Sequence, residues 1–562
     1  MTATTVPPPT TADPRRWVTL AVVLMALIII ALDNTVLTVA IPTILRDFHT
    51  ELPSLQWVLT GYSLTFATLL VIGGRLGDIY GARRMFILGA ALFGLGSFLA
   101  SIAVSVPTLL LGESLIEGIG ASLMMPATLA ILSNTFAGPE RAKAFGLWGA
   151  VAGASVAFGP VVGGYLTTNY SWRWSFRINL IVVPMAILGA LVFMRPTPTG
   201  ARRQRIDIPG AMLLAAGTFL LVFGLSEGGI YGWLHPLRTF TVLGHSVWPS
   251  SRPVSVIPVV FVLAFALLVG FRACERARDR GGKDPLFEFQ LLEHRSFRFG
   301  LITTAVLAMG QLGFLFVLPV FLQDGKHLSA LHSGLWMVPS GLFIMVGAQI
   351  GSRLTRRINT TFVVRAGLLL EAFGLFSLAV VIGPDLTFAA ALPSFAAFGI
   401  GLGFASSQLT NVVLSEIPTT HAGAASGANT AVRQIGAALG IAVIGSVLST
   451  QTTNSATRQV RLSALPPALR STVIARLHAA GVGFTPPSGT SATAVATLRH
   501  ILEQGLADGA RPAMFFAAFV VTMGAGLSFL IPRIATPSDE LLTAPGHVEP
   551  DPLAAMEALD LL

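Results

Sequence analysis

The sequence is poor in charged residues. Only 11% of its 562 residues are Asp, Glu, Lys or Arg, whereas 53% are hydrophobic. A soluble globular domain typically carries about 25% charged residues. This shortage excludes an ordinary water-soluble domain and indicates a protein that is integral to a membrane.

Cysteine pairs, nucleotide-binding loops and metal-binding spacings are also missing from the sequence. Cys274 is the only cysteine, which excludes an intrachain disulfide and a cysteine-based metal site. No G-x-x-x-x-G-K-[ST] loop is present, and Gly399 to Gly403 only superficially resembles a dinucleotide fingerprint because it lies in an apolar segment. The histidines have no HExxH or other metal spacing. We therefore expect no enzymatic activity, no ATP-driven chemistry, no cofactor and no bound metal.

Long, continuous apolar runs dominate the sequence instead. A helical span needs about 20 apolar residues, and a lipid environment admits only helices or closed barrels. The runs lack the ten-residue alternation of barrel strands, so we predict an all-α polytopic membrane protein with about fourteen spans. The predicted spans are residues 17–40, 54–73, 85–105, 107–132, 143–168, 177–195, 207–227, 255–272, 297–322, 331–352, 362–382, 386–412, 421–449 and 511–531.

Basic residues are concentrated in alternate connections between the spans. They are Arg15, Arg16, Arg83, Arg84, Arg141, Lys143, Arg202, Arg203, Arg205, Arg272, Arg276, Arg278, Arg280, Lys283, Arg353, Arg356 and Arg357. This pattern follows the positive-inside rule, which predicts a cytoplasmic N-terminus and, for an even number of spans, a cytoplasmic C-terminus. The net charge of +9 then results from the basic residues that set the membrane topology. We therefore expect these residues to contact the lipid bilayer, and we expect no nucleic-acid partner.

The spans divide the chain into two halves. We predict a disordered cytoplasmic tail at 1–16, a six-helix bundle at 17–195, two extra spans with a charged cytoplasmic linker at 196–296, a second six-helix bundle at 297–531 and a cytoplasmic tail at 532–562. Within the second half, 450–510 is a predicted long external loop with amphipathic helices at 468–480 and 496–507. The first apolar run is too long for a signal peptide and lacks a convincing cleavage site, so we expect it to remain as span one.

Asp33 is an ionisable residue in the middle of the first predicted span. A charged group at membrane depth costs roughly 2.5–3.5 kcal/mol on insertion scales, so it usually persists because ions, protons or polar substrates use it. The alternatives are a carboxylate paired for structural reasons and one that reaches the headgroups from the end of its helix.

Two glycine-rich segments carry further patterns. The segment between spans two and three contains Gly74, Gly77, Asp78, Gly81, Arg83 and Arg84, and its glycines permit a tight inter-helix turn. Span five contains Gly159, Pro160, Gly163 and Gly164, in which the proline predicts a kink and the glycines a smooth contact surface. An ordinary basic loop and simple helix packing are the respective alternatives.

In order and spacing, these motifs resemble those of the major facilitator superfamily, in its fourteen-span drug:proton antiporter branch. The resemblance covers roughly residues 17–531 and rests on several segments together. They are Leu32–Pro42, Gly74–Arg84, Gly159–Gly164, Ser171–Asn179, Asp207–Gly210, Gly229–Trp233, Gly423–Asn429 and Arg433–Gly436. Within the second of these, Ile79 stands where the superfamily usually has an arginine.

Span four departs from the branch. Ser114 occupies the position of its usual arginine, and Glu117 that of its usual glutamine. Glu113 adds a second acid four residues before Glu117, on the same helical face. Two such acids in a low dielectric do not both ionise easily. We interpret them as additional proton- or cation-binding groups, with a structural hydrogen-bonding role as the alternative.

The resemblance implies two six-helix bundles with two extra central helices and a function in transport. We predict a proton-coupled antiporter, powered by the proton gradient, that exports lipophilic, often cationic compounds across the bacterial plasma membrane as a monomer. Asp33, Glu113 and Glu117 would carry protons, Gly74–Arg84 would act as a conformational latch, and Gly159–Gly164 would form the antiporter kink. The alternatives are a dedicated exporter of one endogenous metabolite, lipid or self-made antibiotic, and a transport-inactive sensor or scaffold.

Four further polar residues in the predicted spans are candidates for the substrate path. They are Asn34, Gln311, Glu371 and Arg433. Packing or a satisfied neighbour is the alternative for Gln311 and Glu371, and a lipid-headgroup or interhelix contact is the alternative for Arg433.

Overall fold

The protein is an assembly of long helices. The computed structural model describes residues 14–136, 138–196, 207–242, 245–281, 286–287, 289–355, 358–417, 422–480 and 490–532. Its helices are α1 (Arg16–Phe48), α2 (Leu52–Tyr80), α3 (Ala82–Ser101), α4 (Val106–Thr135), α5 (Gly138–Asn169), α6 (Trp174–Phe193), α7 (Ile208–Tyr231), α8 (Val256–Arg280), α9 (Arg295–Gly325), α10 (Ala330–Leu354), α11 (Thr360–Val381), α12 (Phe388–Leu414), α13 (Ala422–Leu439, Gly440–Ile444 and Gly445–Leu462 in succession), α14 (Pro467–Ala480) and α15 (Ala492–Ser528). A short 3-10 turn, Phe289–Glu293, precedes α9, and an antiparallel hairpin pairs β1 (Phe240–Val242) with β2 (His245–Trp248).

Side-chain caps set where several helices begin. The Asp207 carboxylate accepts a bond from the Gly210 amide at 3.1 Å and so caps α7. Asn359 accepts from the Thr361 amide at 2.8 Å at the start of α11. Ser255, Ser329, Thr387 and Ser491 do the same for α8, α10, α12 and α15. Such caps satisfy amide groups that the first helical turn leaves without an internal partner.

Twelve helices among the described residues are long and apolar enough to cross a membrane. They confirm the predicted all-α polytopic class. The helices α2 and α5, which match predicted spans two and five, are also long but are not among the twelve. The count of fourteen spans stays a prediction.

The helices form two bundles with one packing pattern. In the first bundle, α1 packs on α4, α5 and α6, and α3 packs on α4 and α6. In the second, α9 packs on α12, α13 and α15, and α11 packs on α12 and α15. The Thr361 hydroxyl donates to the carbonyl of Pro532, so the start of α11 and the chain after α15 lie at one end of the molecule. We call this end, where α1 also begins, the terminal face.

The bundles meet along a seam where α5 packs on α10, α2 on α13, and α1 on α9. In the half remote from the terminal face the seam is closed. The Gln323 amide donates to the Val39 carbonyl at 2.7 Å, and the Leu331 amide to the Thr168 hydroxyl at 2.9 Å. Toward the terminal face, a Cβ built on Gly77 or Gly427 would meet nothing within 4 Å. Both glycines therefore face open space.

The remaining helices lie outside the two bundles. Helices α7 and α8 pack on each other, and α7 also contacts α2 and α13 beside the seam. The end of α13, all of α14 and the start of α15 share a separate small core that includes Val460, Val473 and Leu498. This core forms a three-helix extension on the face remote from the termini.

Two predicted connections differ from the structure. Residues 74–80 continue α2 and α3 begins at Ala82, so the predicted loop of Gly74–Arg84 is reduced to a break at Gly81. Gly81 has a φ of 93°, which glycine adopts readily and which reverses the chain in one residue. The predicted amphipathic helix at 496–507 is the first part of α15 rather than a separate element, because its extended packing against α13 carries the helix straight into the last span.

Candidate functional site: a buried acidic cluster

Asp33, Glu113 and Glu117 meet inside the first bundle. We call them the acidic cluster. Each offers a carboxylate oxygen that lies within 4.8 Å of those of the other two. Their exposed fractions are 6%, 0% and 0%, so the cluster is enclosed by protein. The structure thus brings together the three residues that the sequence suggested as proton carriers.

The local form of α4 positions both glutamates. Residues Leu110–Glu117 form a π-helical segment inside α4. Such widened turns are rare in proteins and occur frequently at functional sites. The neighbouring α3 approaches closely, because a Cβ on Gly96 would lie 2.5 Å from the Glu117 Cγ and 2.6 Å from the Gly112 carbonyl oxygen. Glycine at position 96 is therefore what leaves room for the Glu117 side chain.

Few hydrogen bonds reach the cluster. The Asn179 amide on α6 donates to the Ser97 hydroxyl at 3.1 Å and approaches Asp33 Oδ1 at 3.5 Å. The second oxygen of Asp33 and both oxygens of Glu113 and Glu117 have no hydrogen-bond partner among the described residues. Ser114, which replaces the expected arginine, donates to the Val58 carbonyl at 2.7 Å instead of serving the cluster.

The charge balance of the cluster is its main chemical property. None of the three acids forms an ion pair with a described lysine or arginine. Two unit charges 5 Å apart repel by roughly 3 kcal/mol at an effective dielectric of 20. Three simultaneous negative charges are therefore strongly disfavoured, and the cluster is suited to hold protons. Carboxylate oxygens at this spacing are also the ligand type that hard cations prefer.

The span-five motif lies between the cluster and the seam. A Cβ on Gly159 would collide with the Thr35 hydroxyl, and one on Gly163 would lie 2.5 Å from the Val36 carbonyl oxygen. On the other side, a Cβ on Gly164 would collide with the Ala330 carbonyl. The Pro160 carbonyl occupies the space in front of Gly334 on α10. Helix α5 therefore contacts α1 next to Asp33 and also contacts the opposite bundle.

A small pocket lies in the seam itself. It is lined by Pro160, Gln311, Leu315, Met337, Ser340, Gly341, Ile344, Phe398 and Leu402. Phe314 stacks on Phe398 with ring centroids 4.1 Å apart. Gln311 and Ser340 are the polar side chains of this seam pocket. Gln311 is therefore at the boundary between the bundles, where a substrate path would run.

The other candidates are distributed over the molecule. Arg83 donates to the carbonyls of Ala190 and Leu191 at 3.0 and 2.7 Å, and so binds the end of α6 within its own bundle. Arg84 and Arg433 are exposed. Glu371 is 0% exposed inside the second bundle and does not line the seam pocket. The side chains of Asp78 and Asn34 lie outside what the structure describes.

Sequence reasoning missed three polar neighbours of the cluster. Ser97 and Asn179 are bonded to each other beside Asp33, and Tyr62 on α2 is 0% exposed with a hydroxyl that has no described partner. Asn179 closes the Ser171–Asn179 motif, which was the available signal for it. Ser97 and Tyr62 carry no comparable signal, since both lie in apolar helices where a small or aromatic residue is ordinary.

Comparisons with known proteins identify the family. A model described as Major Facilitator Superfamily matches residues 23–441. The chain is 35% identical over 445 residues to the "Probable actinorhodin transporter" of Streptomyces coelicolor, which covers 77% of this chain and 72% of that protein. It is 29% identical over 526 residues to the "Tetracenomycin C resistance and export protein" of Streptomyces glaucescens, with 93% of each covered.

A comparison with solved structures finds a transporter of similar fold. A bacterial homologue of the human lysosomal transporter Spinster, solved in an inward-facing and unoccupied conformation, has a TM-score of 0.60 to this chain at 17% identity. The match covers 92% of this chain and 97% of that one. The chain belongs to the major facilitator superfamily and is a multi-pass transporter of the bacterial plasma membrane, not an enzyme.

Proposed function

We propose that this transporter is a proton-coupled antiporter that exports lipophilic, often cationic compounds. The acidic cluster carries the proposal, because three enclosed carboxyl groups without a described ion pair have to exchange protons to change their charge. The proton gradient would supply the energy, and no cofactor is needed for such exchange. The N- and C-termini would lie in the cytoplasm, as the basic residues of the alternate connections indicate.

The change in charge would act on the seam through α5. Loss of a proton from Asp33 places a negative charge next to Thr35 and Val36, which contact Gly159 and Gly163 of α5. The opposite side of α5 contacts α10 through Pro160 and Gly164. A shift of α1 relative to α5 would therefore alter how closely the bundles pack. Transporters of this architecture rock one half against the other around a central site.

The seam pocket marks where part of the substrate would bind once the bundles move apart, because its present volume of about 10 Å³ is roughly that of one water molecule. Its walls are mostly apolar, with an aromatic stack beside two neutral polar groups, Gln311 and Ser340. A lipophilic substrate binds such a surface through apolar contact, and the polar groups orient it. The negative charge of the acidic cluster would favour a cation while the cluster is deprotonated. Protonation removes that preference, and differential affinity of this kind is what couples two states.

The closure of the terminal face would use the Gly74–Arg84 segment. Gly77 at the end of α2 now faces open space, as does Gly427 of α13. When the bundles rock, these two helix ends would approach and close the cytoplasmic side. The seam remote from the termini would open in the same movement.

Transport driven by an imposed pH gradient tests the proposal. The purified protein is reconstituted in liposomes, and efflux of a lipophilic cationic dye is followed over a series of gradients. We expect Asp33→Asn to lower gradient-driven efflux by about 5- to 150-fold, the usual range of a coupling between two sites. If Asp33→Asn transports as fast as the parent at every gradient, the coupling assignment is wrong.

An exposed acid provides the matched control. Asp279 on α8 is exposed and accepts a bond from the Gln290 amide at 3.1 Å, far along the chain from the cluster. Asp279→Asn removes the same charge and should keep parental efflux. Absence of efflux of any compound in the parent would instead support the transport-inactive sensor or scaffold.

A dedicated exporter of one compound is the second candidate function. The names of two relatives, an actinorhodin transporter and a tetracenomycin C export protein, each refer to a single compound. A panel of unrelated lipophilic cations distinguishes the two candidates. Export of several of them supports the broad antiporter, whereas export of only one chemical type supports the dedicated exporter.

A further inference from the structure

Arg433 is an exposed cation at membrane depth on helix α13. This helix begins at Ala422, at the open half of the seam. The step from there to Arg433 is eleven residues (433 minus 422), or about 16 Å at 1.5 Å per residue. The hydrocarbon core of a bilayer is about 30 Å thick, so Arg433 lies well inside it. Charged side chains at such depth almost always face the interior of a bundle or a water-filled cavity.

The contacts of α13 show the direction in which Arg433 points. A Cβ on Gly436 would collide with α9, so this side of α13 faces the second bundle. Leu439 packs on a small core that includes Val222 of α7, a helix outside both bundles. Arg433 lies three residues before Gly436 and Leu439 three residues after it, so the two side chains project to opposite sides of that glycine. Arg433 therefore points to the inner side of α13, toward the space between the bundles.

A polar side of α13 leads from the terminal face to Arg433. Ser426, Thr430 and Arg433 follow one another at intervals of four and three residues, which places them on one side of the helix. Ser426 and Thr430 are partly exposed. Further along this side, Ala437 and Ile441 are only 4% and 1% exposed. Along α13, the open space between the bundles is thus lined by polar residues as far as Arg433 and ends there.

The guanidinium group of Arg433 has no partner among the residues that the structure describes. None of them forms a hydrogen bond or an ion pair with it, and no acid among them is close enough to neutralise its charge. The side-chain oxygen of the neighbouring Asn429 already accepts a bond from the Thr304 hydroxyl at 2.9 Å. A guanidinium group presents five N–H donors in a planar fork that matches a carboxylate. An uncompensated cation with free donors therefore stands at the inner end of an open polar path.

We propose that Arg433 binds an acidic oxygen group, a carboxylate or phenolate, of the lipophilic compound that the protein exports. The inference rests on the proposed function for the open half of the seam as the route of a lipophilic substrate. It adds an acidic group to that substrate, and a basic group elsewhere in the same molecule is compatible with it. An inorganic anion and the headgroup of an anionic lipid share this chemistry and are the competing occupants.

Binding without any gradient tests the inference. The protein is placed in nanodiscs of phosphatidylcholine, a lipid without net charge, and titrated at pH 7.5 with 2-naphthoate and 2-naphthamide. The two probes share one ring system and differ in the charge of the attached group, and the signal of empty nanodiscs is subtracted. We expect naphthoate to bind at least about tenfold more tightly than naphthamide, because hydrogen bonds between ionised partners are roughly twice as strong as neutral ones.

Three variants locate the binding. Arg433→Gln should bind both probes with the affinity that the parent has for naphthamide, and this retained binding shows that the variant is folded. Arg433→Lys keeps the charge without the fork, so it should keep only part of the preference for naphthoate. Arg252→Gln is the matched control. Arg252 is exposed between β2 and α8, with its guanidinium 4.2 Å from the centroid of the Trp248 ring, and its variant should keep the parental preference.

Four outcomes would overturn the inference. They are equal affinity of the parent for both probes, a naphthoate preference that persists in Arg433→Gln, displacement of naphthoate by phosphate or acetate as effectively as by naphthoate itself, and loss of naphthoate binding when phosphatidylglycerol is added to the nanodiscs. The third would identify a site for small anions, and the fourth a lipid headgroup. Because no gradient is imposed, each of them leaves proton-driven efflux untouched. An intact naphthoate preference without proton-driven efflux would reject the proposed function instead.

Discussion

The two bundles repeat the same helix packing but differ in what they bury at its centre. In the first bundle α3 and α4 approach through Gly96 and Gly112, and in the second α11 and α12 approach through Gly367 and Gly401. Beside the first contact lies the acidic cluster. Beside the second lies Glu371, whose Oε1 would be 3.0 Å from a Cβ on Gly310 of α9.

The surroundings of the two acidic sites differ. The acidic cluster has three carboxyl groups and the Asn179–Ser97 pair beside them. Both oxygens of Glu371 lack a described partner, and apolar side chains such as Leu375 and Val521 surround its contact with Gly310. An isolated buried charge is costly, so a single carboxyl group enclosed in this way is poorly suited to release and rebind a proton. If the protein exchanges protons as proposed, this comparison favours the first bundle as the place of exchange.

Among the predictions that test this difference between the bundles, removal of the two glutamates should change efflux the most. In the double variant Glu113→Gln with Glu117→Gln, Asp33 no longer has acids with which to share a proton. We expect gradient-driven efflux to fall by about 5- to 150-fold and its dependence on pH to become that of one carboxyl group. Proteoliposome efflux measured from pH 5.5 to 8.5 checks this. Parental efflux across that range would mean that Asp33 acts alone.

Substitution of two arginines at the terminal face should have an effect of intermediate size. Arg83 donates to the carbonyls that end α6, and Arg365 donates to the carbonyls of Ser528 and Ile531 after α15. Lysine cannot reproduce such forked bonding, so Arg83→Lys and Arg365→Lys should each cost about 1 kcal/mol of stability. Thermal unfolding in detergent measures it. A loss of transport confined to Arg83→Lys would show that Arg83 also serves the latch.

Replacement of Glu371 should produce the smallest effect. Glu371→Met exchanges a carboxyl group that has no hydrogen-bond partner among the described residues for an apolar side chain of similar length. Such a replacement is commonly neutral or slightly stabilising, so efflux should stay within about twofold of the parent. The pH–efflux curve of Glu371→Met should overlay the parental curve. A displaced curve would make Glu371 a second proton carrier and remove the contrast between the bundles.

Local patterns predicted most of the fold because the bilayer restricts the choices. Apolar runs of sufficient length have to form helices there, which is why the predicted spans and the helices largely coincide. The connections were predicted less well. The loop at Gly74–Arg84 is a single break at Gly81, and the segment 496–507 belongs to α15. Helix ends depend on packing and on backbone angles that an apolar pattern does not encode.

The candidate site was predicted in part. Asp33 was recognisable because charge in a membrane span is costly, and the four-residue spacing of Glu113 and Glu117 placed both on one face of α4. The sequence does not show that this face points at Asp33. Its direction depends on the rotation of α4, on the π-helical turn of α4 and on the room that Gly96 leaves. Tyr62 and Ser97 lie beside the cluster only because helices far apart in the chain contact each other.

The sequence by itself determined the class of protein, the position of most helices and the presence of acids at membrane depth. Hydrophobic length and the cost of charge are properties of each segment, so the segment alone reveals them. Only the tertiary structure decided that three acids meet without an ion pair, and that Glu371 lies apart from other acids, among the residues it describes. Which side chains face each other depends on helix rotation and close approach, and these result from the packing of the whole bundle.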